Sequence, residues 1–366
     1  NKILKCLKLM KLRGPNHQSF SNHYFKDKSL SLFASRLSII DLNQRSNQPI
    51  KDENLTLIYN GEIYNYLELK SELIKKGIKF KTGSDSEVLL KSYQVWGSKC
   101  VSKFEGMWSF AIYDEIKKLL FISKDRFGEK PLYYYHKNNS FIFGSEIKYI
   151  LHLGSKKNLH KLNLEKLKNY LVNGYKILNK NDETFFKNIK KLEAGTNLYL
   201  NLKNMNIKFE KYEKKNNLIS SNKHPIQQNI SNVRSLLENS LKLRLRSDVP
   251  VAFCLSGGVD SSSLVSIATK KFNKKVKCFS IIDSDPKYNE EKNIDLIKKD
   301  TGCEVEKIYL EEKKNFFDRL ENLVSGHDSP ISTLAYYVHS FISENASKQN
   351  FKVILSGTGA DEILTG

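Results

Sequence analysis

The sequence predicts an α+β domain followed by an α/β domain, and three observations carry this prediction. Residues 1 to about 205 alternate short runs typical of β-strands with few helices, at a hairpin spacing that indicates antiparallel sheets. From residue 230 onwards, strands and helices alternate at the spacing of a doubly wound parallel sheet with right-handed crossovers. The polar stretch 211–229 separates the two patterns and predicts a linker. We therefore expect one domain at 1–210 and a second at 230–366.

Two helices of the first domain are marked by apolar residues at helical spacing and by a glycine at the C′ position. The segment NYLELKSELIKKG ends at Gly77, and SEVLLKSYQVWG ends in the same way at Gly97. The apolar positions of the first are Leu67, Leu69, Leu73 and Ile74. The opening NKILKCLKLMKLRG also has the pattern of a helix, and it begins with Asn1 rather than Met. We therefore expect a fragment that lacks its first residues and the last third of the complete protein.

In the second domain, helices separate the strand-like runs VPVAFCLS, VKCFSII, EVEKIYL and FKVILSG. The helices are expected at 230–246, in SSSLVSIATKK, NEEKNIDLIKKDTG and NFFDRLENLV, and at 333–348. Ligands of such sheets bind at the carboxyl ends of the strands. Two glycine-rich segments stand there, SGGVDSS at 256–262 and SGTGADE at 356–362, and they are the candidates for a nucleotide site.

Composition and charge argue against several classes of protein. With 40% hydrophobic residues over 366 positions, the chain is typical of a soluble globular protein, and no apolar run approaches the ~18 residues of a membrane span. A net charge of +20 suggests a nucleic-acid partner. Because the excess is nearly all scattered lysine rather than clustered arginine, we expect neither nucleic acid nor a membrane as partner. The five cysteines show no CxxC and no metal-ligand spacing, which favours a reducing cytoplasm.

Segment 256–262 follows a buried strand and opens a helix, which is the geometry that cradles phosphate. Its glycines allow close approach of backbone N–H groups, and the helix N-terminus attracts negative charge. The lysine of a Walker A loop is absent, so the segment is similar to the pyrophosphate loop of ATP pyrophosphatases, with Asp260 holding Mg²⁺. The alternative is an ordinary βα turn capped by Asp or Ser, which the strand–loop–helix context disfavours.

Seven further motifs follow one another in the first half of the chain. They are RGPN (13–16), RLSIIDL (36–42), NGEIYNY (60–66), SDSE (84–87), FEGMWSFAIYD (104–114), DRFGEKPLYY (125–134) and FGSEIKYI (143–150). Together they resemble the N-terminal-nucleophile glutaminase domain of class II glutamine amidotransferases. Joined to SGGVDSS and SGTGADE, they resemble the glutamine-hydrolysing asparagine synthetase family over essentially the whole chain. The resemblance implies an αββα glutaminase domain followed by an ATP pyrophosphatase domain with a doubly wound parallel sheet.

The resemblance implies roles in glutamine hydrolysis, a reaction that needs a nucleophile, a base and donors aimed at the tetrahedral oxyanion. The Asn60 side chain and the Gly61 N–H are implied as the oxyanion donors, and Arg36 as the clamp for the glutamine α-carboxylate. Asp85 and Glu62 are implied to hold the α-ammonium group. The remaining pocket residues implied are Leu37, Ser38, Ile39 and Ile40. Taken alone, Arg36 with Asp85 also fits a surface ion pair, and Asn60-Gly61 fits a type I′ hairpin turn.

The nucleophile that the resemblance implies is a cysteine directly after the initiator methionine, with its own α-amine as the base. That cysteine is not in this sequence. Cys6 lies in the predicted opening helix, well after the expected position, and we interpret it as a core or surface residue. We therefore expect this chain, as it stands, to be unable to hydrolyse glutamine.

The second half is implied to bind ATP and Mg²⁺ and to form an acyl-adenylate. The implied ATP-binding residues are Leu255, Ser256, Gly257, Gly258, Asp260, Ser261, Ile281, Ser356 and Gly357. Asp260 and Asp361 are implied to hold Mg²⁺. An acceptor carboxylate attacks the α-phosphate, pyrophosphate leaves, and ammonia from glutamine then displaces AMP. The expected reaction converts aspartate to asparagine in the cytoplasm, with glutamine, ATP and the acceptor as small-molecule partners, and a homodimer is left open as the assembly.

One departure from the family bears on the acceptor: the family usually carries Glu between the two glycines of the second loop, whereas this sequence has Thr358. That position is associated with forming the acyl-adenylate, so another carboxylate, such as a sugar acid of surface polysaccharides, is the alternative acceptor. Two other classes are rivals, a tRNA-modifying ATP pyrophosphatase and a non-catalytic binding protein. The motifs NGEIYNY and RLSIIDL argue against the first, and the intact Asp260 and Asn60-Gly61 argue against the second.

Overall fold

The computed structural model describes residues 2–25, 28–137, 139–154, 159–178, 180–212, 225–310 and 315–364. The chain divides into two compact units, Asn1–Leu218 and Ile219–Gly366. The division falls inside the stretch 211–229 that the sequence predicts as a linker. Residues 213–224 of this stretch lie outside the described residues. On either side of them, Lys211 ends a strand and Ile226 begins a helix.

The first unit contains a series of β-strands interrupted by helices. The strands are β1 (His17–Phe25), β2 (Lys28–Arg36), β3 (Ile50–Asp52), β4 (Leu55–Ile63), β5 (Gly106–Asp114), β6 (Leu119–Lys124), β7 (Tyr133–Lys137), β8 (Ser140–Gly144), β9 (Lys190–Lys191), β10 (Thr196–Asn201) and β11 (Ile207–Lys211). The helices are α1 (Lys2–Met10), α2 (Tyr66–Lys75), α3 (Asp85–Trp96), α4 (Ile147–Leu153) and α5 (Leu164–Asn173). Short 3₁₀ helices lie at Gln44–Ser46, Gly97–Lys103 and Gly174–Ile177.

The first unit is built in four layers, and this confirms the predicted αββα fold. Its largest layer is an antiparallel six-stranded sheet in the order β11-β10-β6-β5-β4-β3. Helices α2 and α3 cover one face, where Leu73 and Val88 pack with Phe110 and Phe121 of the sheet. The second β layer, made of β1-β2 and β8-β7-β9, covers the other face, with Leu32 in the core between the layers. Helices α1 and α4 pack outside this second β layer.

Helix α2 buries a narrower apolar stripe than its sequence suggests. Leu69 and Leu73, about one turn apart, are 4% and 0% exposed and belong to the core. Leu67 and Ile74 are 49% and 54% exposed and lie outside it. Because successive helical residues turn by about 100°, Leu67 and Ile74 point away from the side of the helix that carries Leu69.

The second unit alternates strands and helices. The strands are β12 (Val251–Cys254), β13 (Lys277–Ile282), β14 (Glu304–Tyr309) and β15 (Val353–Leu355). The helices are α6 (Ile226–Arg244), α7 (Val259–Ser266), α8 (Glu291–Thr301), α9 (Phe316–His327), α10 (Ala335–Lys348) and α11 (Ala360–Leu364), and α7 continues as a π-helical turn at Ile267–Lys271. No helix in the described part of the chain is long and apolar enough to cross a membrane.

The strands of the second unit form a parallel sheet in the order β14-β13-β12-β15. Along the chain, β13 and β14 are added one after the other on one side of β12, and β15 then pairs on the other side of β12. This reversal creates a topological switch point between β12 and β15, where ligands bind in open α/β sheets. Val265 and Ile294 of α7 and α8 pack on one face, and Ile342 and Ala346 of α10 pack on the other. The predicted doubly wound sheet is therefore confirmed.

Candidate functional site

A cavity of about 840 Å³ opens in the first unit among β2, β4 and β8. Most of the residues expected to bind glutamine line it: Arg36, Leu37, Ile39, Ile40, Asn60, Gly61, Glu62 and Asp85. Ser38 is not among the lining residues, and its backbone N–H donates to Asn16 Oδ1 at 3.0 Å. The fold therefore brings side chains from the separate motifs RLSIIDL, NGEIYNY and SDSE to one cavity.

Asn60 and Gly61 lie in the middle of β4, where they pair with Ser109 and Trp108 of β5. The alternative reading of Asn60-Gly61 as a hairpin turn is therefore wrong. Gly61 has no room for a side chain, because a Cβ atom there would stand 2.2 Å from the carbonyl oxygen of Met107. The Asn60 Nδ2 group donates to Ser145 Oγ at 3.2 Å. An amide nitrogen has two hydrogens, so one remains for a ligand in the cavity.

Arg36 ends β2 and closes the loop that follows it. Its Nη2 atom donates to the carbonyl oxygens of Ile40 at 3.0 Å and of Asp41. Its Nη1 atom donates to the carbonyl oxygen of Asn43 and to Asn47 Oδ1, both at 3.1 Å. Arg36 is buried, with 8% of its surface exposed, so it does not form a surface ion pair. Its guanidinium shapes the cavity wall and places a positive charge there.

Asp85 opens α3 and is 4% exposed. Its Oδ2 atom accepts hydrogen bonds from the Tyr59 hydroxyl at 2.9 Å and from the Ile63 backbone N–H at 3.0 Å. Burial raises the pKa of Asp85, whereas these two hydrogen bonds act in the opposite direction because they favour the carboxylate. The cavity thus combines a buried carboxylate with a buried guanidinium, the two charges that an α-amino acid complements.

The cavity wall also contains polar residues that the sequence argument did not single out: Gln48, Tyr59, Lys130 and Ser145. Lys130 is brought there by the turn that Asp125 organises, because Asp125 accepts hydrogen bonds from the N–H groups of Glu129 and Lys130 at 2.9 Å. Burial lowers the pKa of Lys130, and the Glu62 carboxylate opposes this change. Lys130 lies in the motif DRFGEKPLYY and Ser145 lies in the motif FGSEIKYI, so the sequence could have pointed to both residues. Nothing in the sequence marks Gln48.

Cys6 is the one cysteine of the described residues that lines this cavity. It lies in α1 and is only 1% exposed. Burial raises the pKa of the Cys6 thiol to about 11, so the thiol stays protonated at neutral pH. A cysteine nucleophile acts as the thiolate. The structure therefore supports the interpretation of Cys6 as a core residue.

In the second unit, segment 256–262 connects β12 to α7 at the switch point. Ser256 and Ser261 are tied together, since their Oγ atoms are 3.0 Å apart and the Ser256 N–H donates to Ser261 Oγ at 3.1 Å. Gly257 adopts a positive φ of 86°, a conformation that favours glycine. The N-cap of α7 is Gly258, with no side-chain capping bond. The alternative of a turn capped by Asp or Ser is therefore wrong.

The second glycine-rich loop follows β15 and contacts the first. A Cβ atom on Gly357 would stand 2.9 Å from both the Asp260 Cβ atom and the Ser261 backbone nitrogen. Ser356 Oγ and Thr358 Oγ1 form a hydrogen bond of 2.7 Å within the loop. Of the other expected nucleotide residues, Leu255 is buried just after β12 and Ile281 is half-buried in β13. Because β12 and β15 are neighbours in the sheet, the two glycine-rich loops that follow them lie side by side.

The carboxylates expected to hold Mg²⁺ stand in the first turns of two helices, Asp260 in α7 and Asp361 in α11. Within the described ranges, no group of three or more His, Cys, Asp or Glu side chains could hold a metal by itself. Mg²⁺ is commonly bound by one or two carboxylates together with phosphate oxygens. The donor set therefore fits Mg²⁺ that arrives with a nucleotide.

Comparison with known proteins agrees with this arrangement of sites. Residues 1–213 match the glutamine amidotransferase domain family, and residues 232–366 match the asparagine synthase family. The chain is 35% identical to a putative glutamine-hydrolysing asparagine synthetase of Methanocaldococcus jannaschii, over 100% of this chain and 72% of that protein. It is 34% identical to glutamine-hydrolysing asparagine synthetase 1 of Bacillus subtilis, over 97% of this chain. It spans 54% of the length of that second relative.

A solved structure of glutamine phosphoribosylpyrophosphate amidotransferase from Bacillus subtilis aligns with 78% of this chain at a TM-score of 0.38 and 15% identity, a likeness too distant to bear on the fold. The two family matches, by contrast, together cover nearly the whole chain. The first covers the part that holds the cavity, and the second covers the part that holds the two loops. The chain therefore belongs to the glutamine-hydrolysing asparagine synthetase family.

Proposed function

We propose that this protein uses ATP to transfer the amide nitrogen of glutamine to a carboxylate, and that aspartate is the carboxylate that becomes asparagine. AMP and pyrophosphate are the other products. One observation carries the proposal: a single chain holds a cavity lined by Arg36, Asn60 and Asp85 in its first unit and two glycine-rich loops at a switch point in its second. The names of the relatives favour aspartate over the alternative acceptor, a sugar acid.

In the first unit, the proposed reaction is attack of a thiolate on the amide carbon of glutamine. Negative charge then develops on the carbonyl oxygen, and Asn60 Nδ2 and the Gly61 N–H donate to it. The amide nitrogen takes up the proton that the thiol lost and leaves as ammonia, and water then hydrolyses the thioester to glutamate. Asp85 and Glu62 hold the α-ammonium group, and the positive charge of Arg36 faces the α-carboxylate.

The proposed nucleophile is a cysteine on an extended segment that precedes Asn1. Among the described strands, β2 pairs only with β1, and β8 pairs only with β7. Residues of both strands line the cavity, including the apolar Leu32 and Phe143. An extended segment that paired with both strands would satisfy N–H and C=O groups at edges that no described strand covers. Such a segment would bring a thiol to the cavity that contains Asn60.

In the second unit, the proposed chemistry is attack of the acceptor carboxylate on the α-phosphate of ATP. The backbone around Gly257 and Gly258 and the N-terminus of α7 bind the departing pyrophosphate, because they present N–H groups and a positive dipole. Asp260 and Asp361 would hold Mg²⁺, which neutralises charge on the phosphates when it is bound. Ammonia then displaces AMP from the acyl-adenylate.

Three further parts of the proposal concern the setting of the protein. The free state of all five cysteines is compatible with a reducing cytoplasm, and cell fractionation tests this location. A homodimer is the expected assembly if the protein self-associates, and light scattering after size exclusion measures it. Absence of nucleic-acid binding is expected despite the net charge of +20, and a filter-binding assay at physiological salt tests it.

The test of the proposed function is a product assay on the full-length protein. Glutamine labelled with ¹⁵N in the amide, ATP, Mg²⁺ and aspartate are supplied, and ¹⁵N-asparagine, AMP and pyrophosphate are measured. Equal amounts of the three products are expected. Release of orthophosphate from ATP would contradict the phosphate assignment. AMP formation with a sugar acid but not with aspartate would replace the acceptor.

A further inference from the structure

Tyr59 lies one residue before Asn60 on β4 and is held at two points in the cavity wall. Its hydroxyl donates to Asp85 Oδ2 at 2.9 Å, and its backbone N–H donates to Gln48 Oε1 at 2.6 Å. A Cβ atom on Gly61 would stand 2.6 Å from Cε2 of the Tyr59 ring. The missing side chain at Gly61 therefore makes room for the ring that reaches Asp85.

The two oxygens of Asp85 have different surroundings. Oδ2 is occupied, because it accepts from the Tyr59 hydroxyl and from the Ile63 N–H. Oδ1 lies 3.4 Å from the Ser84 hydroxyl and 3.5 Å from the Ser86 hydroxyl, distances at which a hydrogen bond is weak. Oδ1 is therefore the oxygen with capacity to accept a hydrogen bond from a ligand.

We propose that Tyr59 is a positioning residue for glutamine binding: its hydroxyl fixes Oδ2 of the Asp85 carboxylate, so that Oδ1 receives the α-ammonium group. The inference rests on the proposed function, since it requires glutamine in this cavity. Tyr59 acts through Asp85 and touches no reacting atom. It sets affinity for the α-ammonium group rather than the rate of amide cleavage.

The charged groups around Tyr59 and Asp85 explain why the Tyr59 hydroxyl is needed. Arg36 from β2 favours the charged form of Asp85, whereas Glu62, from β4, also faces Arg36 and competes for its positive charge. Tyr64, just after β4, is another titratable group near Tyr59. An ionised carboxylate that is 4% exposed needs hydrogen bonds to compensate for the lost water. Tyr59 supplies one of the two at Oδ2, and no other side chain of the described residues donates to that atom at hydrogen-bonding distance.

Loss of the hydroxyl has a predictable pH signature. Burial raises the pKa of Asp85, and the Tyr59 hydroxyl opposes this increase. In Tyr59→Phe the pKa of Asp85 therefore rises further, and the carboxyl becomes protonated at a higher pH than in the unchanged protein. As the solution is acidified, glutamine affinity should therefore begin to fall at a higher pH in Tyr59→Phe than in the unchanged protein. A loss of packing would lower affinity at all pH values alike.

The experiment measures glutaminase kinetics of the full-length protein between pH 6 and pH 9. For Tyr59→Phe we expect KM for L-glutamine to rise about tenfold at neutral pH, with kcat within about twofold of the unchanged protein. We expect the pH at which KM begins to rise to move upward. Glutaramic acid, which is glutamine without its α-amino group, should compete with an inhibition constant that the substitution leaves unchanged.

Tyr199→Phe is the matched control, because the Tyr199 hydroxyl donates to Glu210 Oε2 at 2.7 Å in the same unit and Tyr199 does not line the cavity. It should leave KM and its pH profile unchanged. An equal rise for glutamine and glutaramic acid in Tyr59→Phe, or an unchanged pH profile, would overturn the role of Tyr59 while leaving the glutaminase intact. A full-length protein without glutaminase activity would instead overturn the proposed function, and the role of Tyr59 with it.

Discussion

Gly357 approaches Asp260 so closely that a Cβ atom on Gly357 would stand 2.9 Å from the Asp260 Cβ atom. Gly357 follows β15 and Asp260 follows β12. These strands are neighbours in the sheet, although their paired residues Val251 and Val353 are 102 positions apart in the chain. The two loops are therefore packed against each other at this position, and a side chain on Gly357 would not fit without a shift. The shape of the first loop therefore depends on the absence of a side chain in the second.

Gly357→Ala should impair the synthetase reaction while sparing the glutaminase. The new methyl group must displace Asp260 or the start of α7, and overpacking of this kind costs about 1–3 kcal/mol. We expect ATP-dependent pyrophosphate release by the full-length protein to fall at least tenfold, or about 1.4 kcal/mol. Gly326→Ala is the control, because a Cβ atom there meets nothing within 4 Å. Equal loss of activity in both variants would contradict the argument.

Asp260→Asn should remove a magnesium ligand while keeping the shape of the loop. Pyrophosphate release is expected to fall on the order of 100-fold, because an amide oxygen carries no net charge to hold the cation. Glutamine hydrolysis in the first unit should be largely unchanged. Raising the Mg²⁺ concentration should recover part of the lost rate. Full activity of the variant at low Mg²⁺ would remove Asp260 from the proposed site.

The 366-residue chain by itself should release no ammonia from glutamine. Its cavity-lining cysteine, Cys6, has a pKa raised to about 11 and is therefore protonated at neutral pH. An amino-terminal extension that supplies a cysteine next to the cavity should restore ammonia release, and Cys6→Ala should leave the restored activity unchanged. Ammonia production by the chain alone that Cys6→Ala abolishes would show that Cys6 is the nucleophile.

Thr358 should decide how well aspartate serves as acceptor. Its hydroxyl hydrogen-bonds to Ser356 Oγ at 2.7 Å and carries no charge, so it cannot act as a base or bind a cation as Glu does. AMP formation by the full-length protein is measured with aspartate and with a panel of sugar acids as acceptors. The unchanged protein and Thr358→Glu are compared. We expect aspartate to support AMP formation in the unchanged protein. Activity with aspartate only in Thr358→Glu would instead show a pocket rebuilt for another acid.

Lys124 should make the stability of the first unit depend on pH. It is fully buried, its Nζ donates to the Leu192 carbonyl oxygen at 3.2 Å, and burial together with Lys191 lowers its pKa to about 8. Because the folded state binds this proton less tightly than the unfolded state, Lys124 destabilises the fold below about pH 8, and the penalty disappears as the pH rises towards 10.5.

Lys124→Met should therefore raise the free energy of unfolding by about 1–3 kcal/mol at pH 6.5, and the gain should shrink by pH 9.5. Urea denaturation at the two pH values measures it. Lys137→Met, at an exposed position in β7, is the control and should show no such pH dependence. A gain that is the same at both pH values would contradict the assignment of a buried charge.

Features that depend on neighbours along the chain were predictable from the sequence. Gly77 and Gly97 end their helices as predicted, with φ values of 84° and 58° that favour glycine. The alternation of strands and helices after residue 230 predicted the parallel sheet, since short crossovers leave few topologies. The glycine-rich loops were recognised because their strand–loop–helix context is local.

Contacts between distant parts of the chain were decided only by the tertiary structure. The hydrogen bond from Tyr59 to Asp85 joins residues 26 positions apart, and it depends on how α3 packs against β4. Pairing with β5 placed Asn60 and Gly61 inside a strand, although the dipeptide alone also fits a turn. The direction of the Arg36 guanidinium depends on the loop that folds back over it. Sequence periodicity reports which face of an element is apolar, but register and packing determine which polar atoms meet.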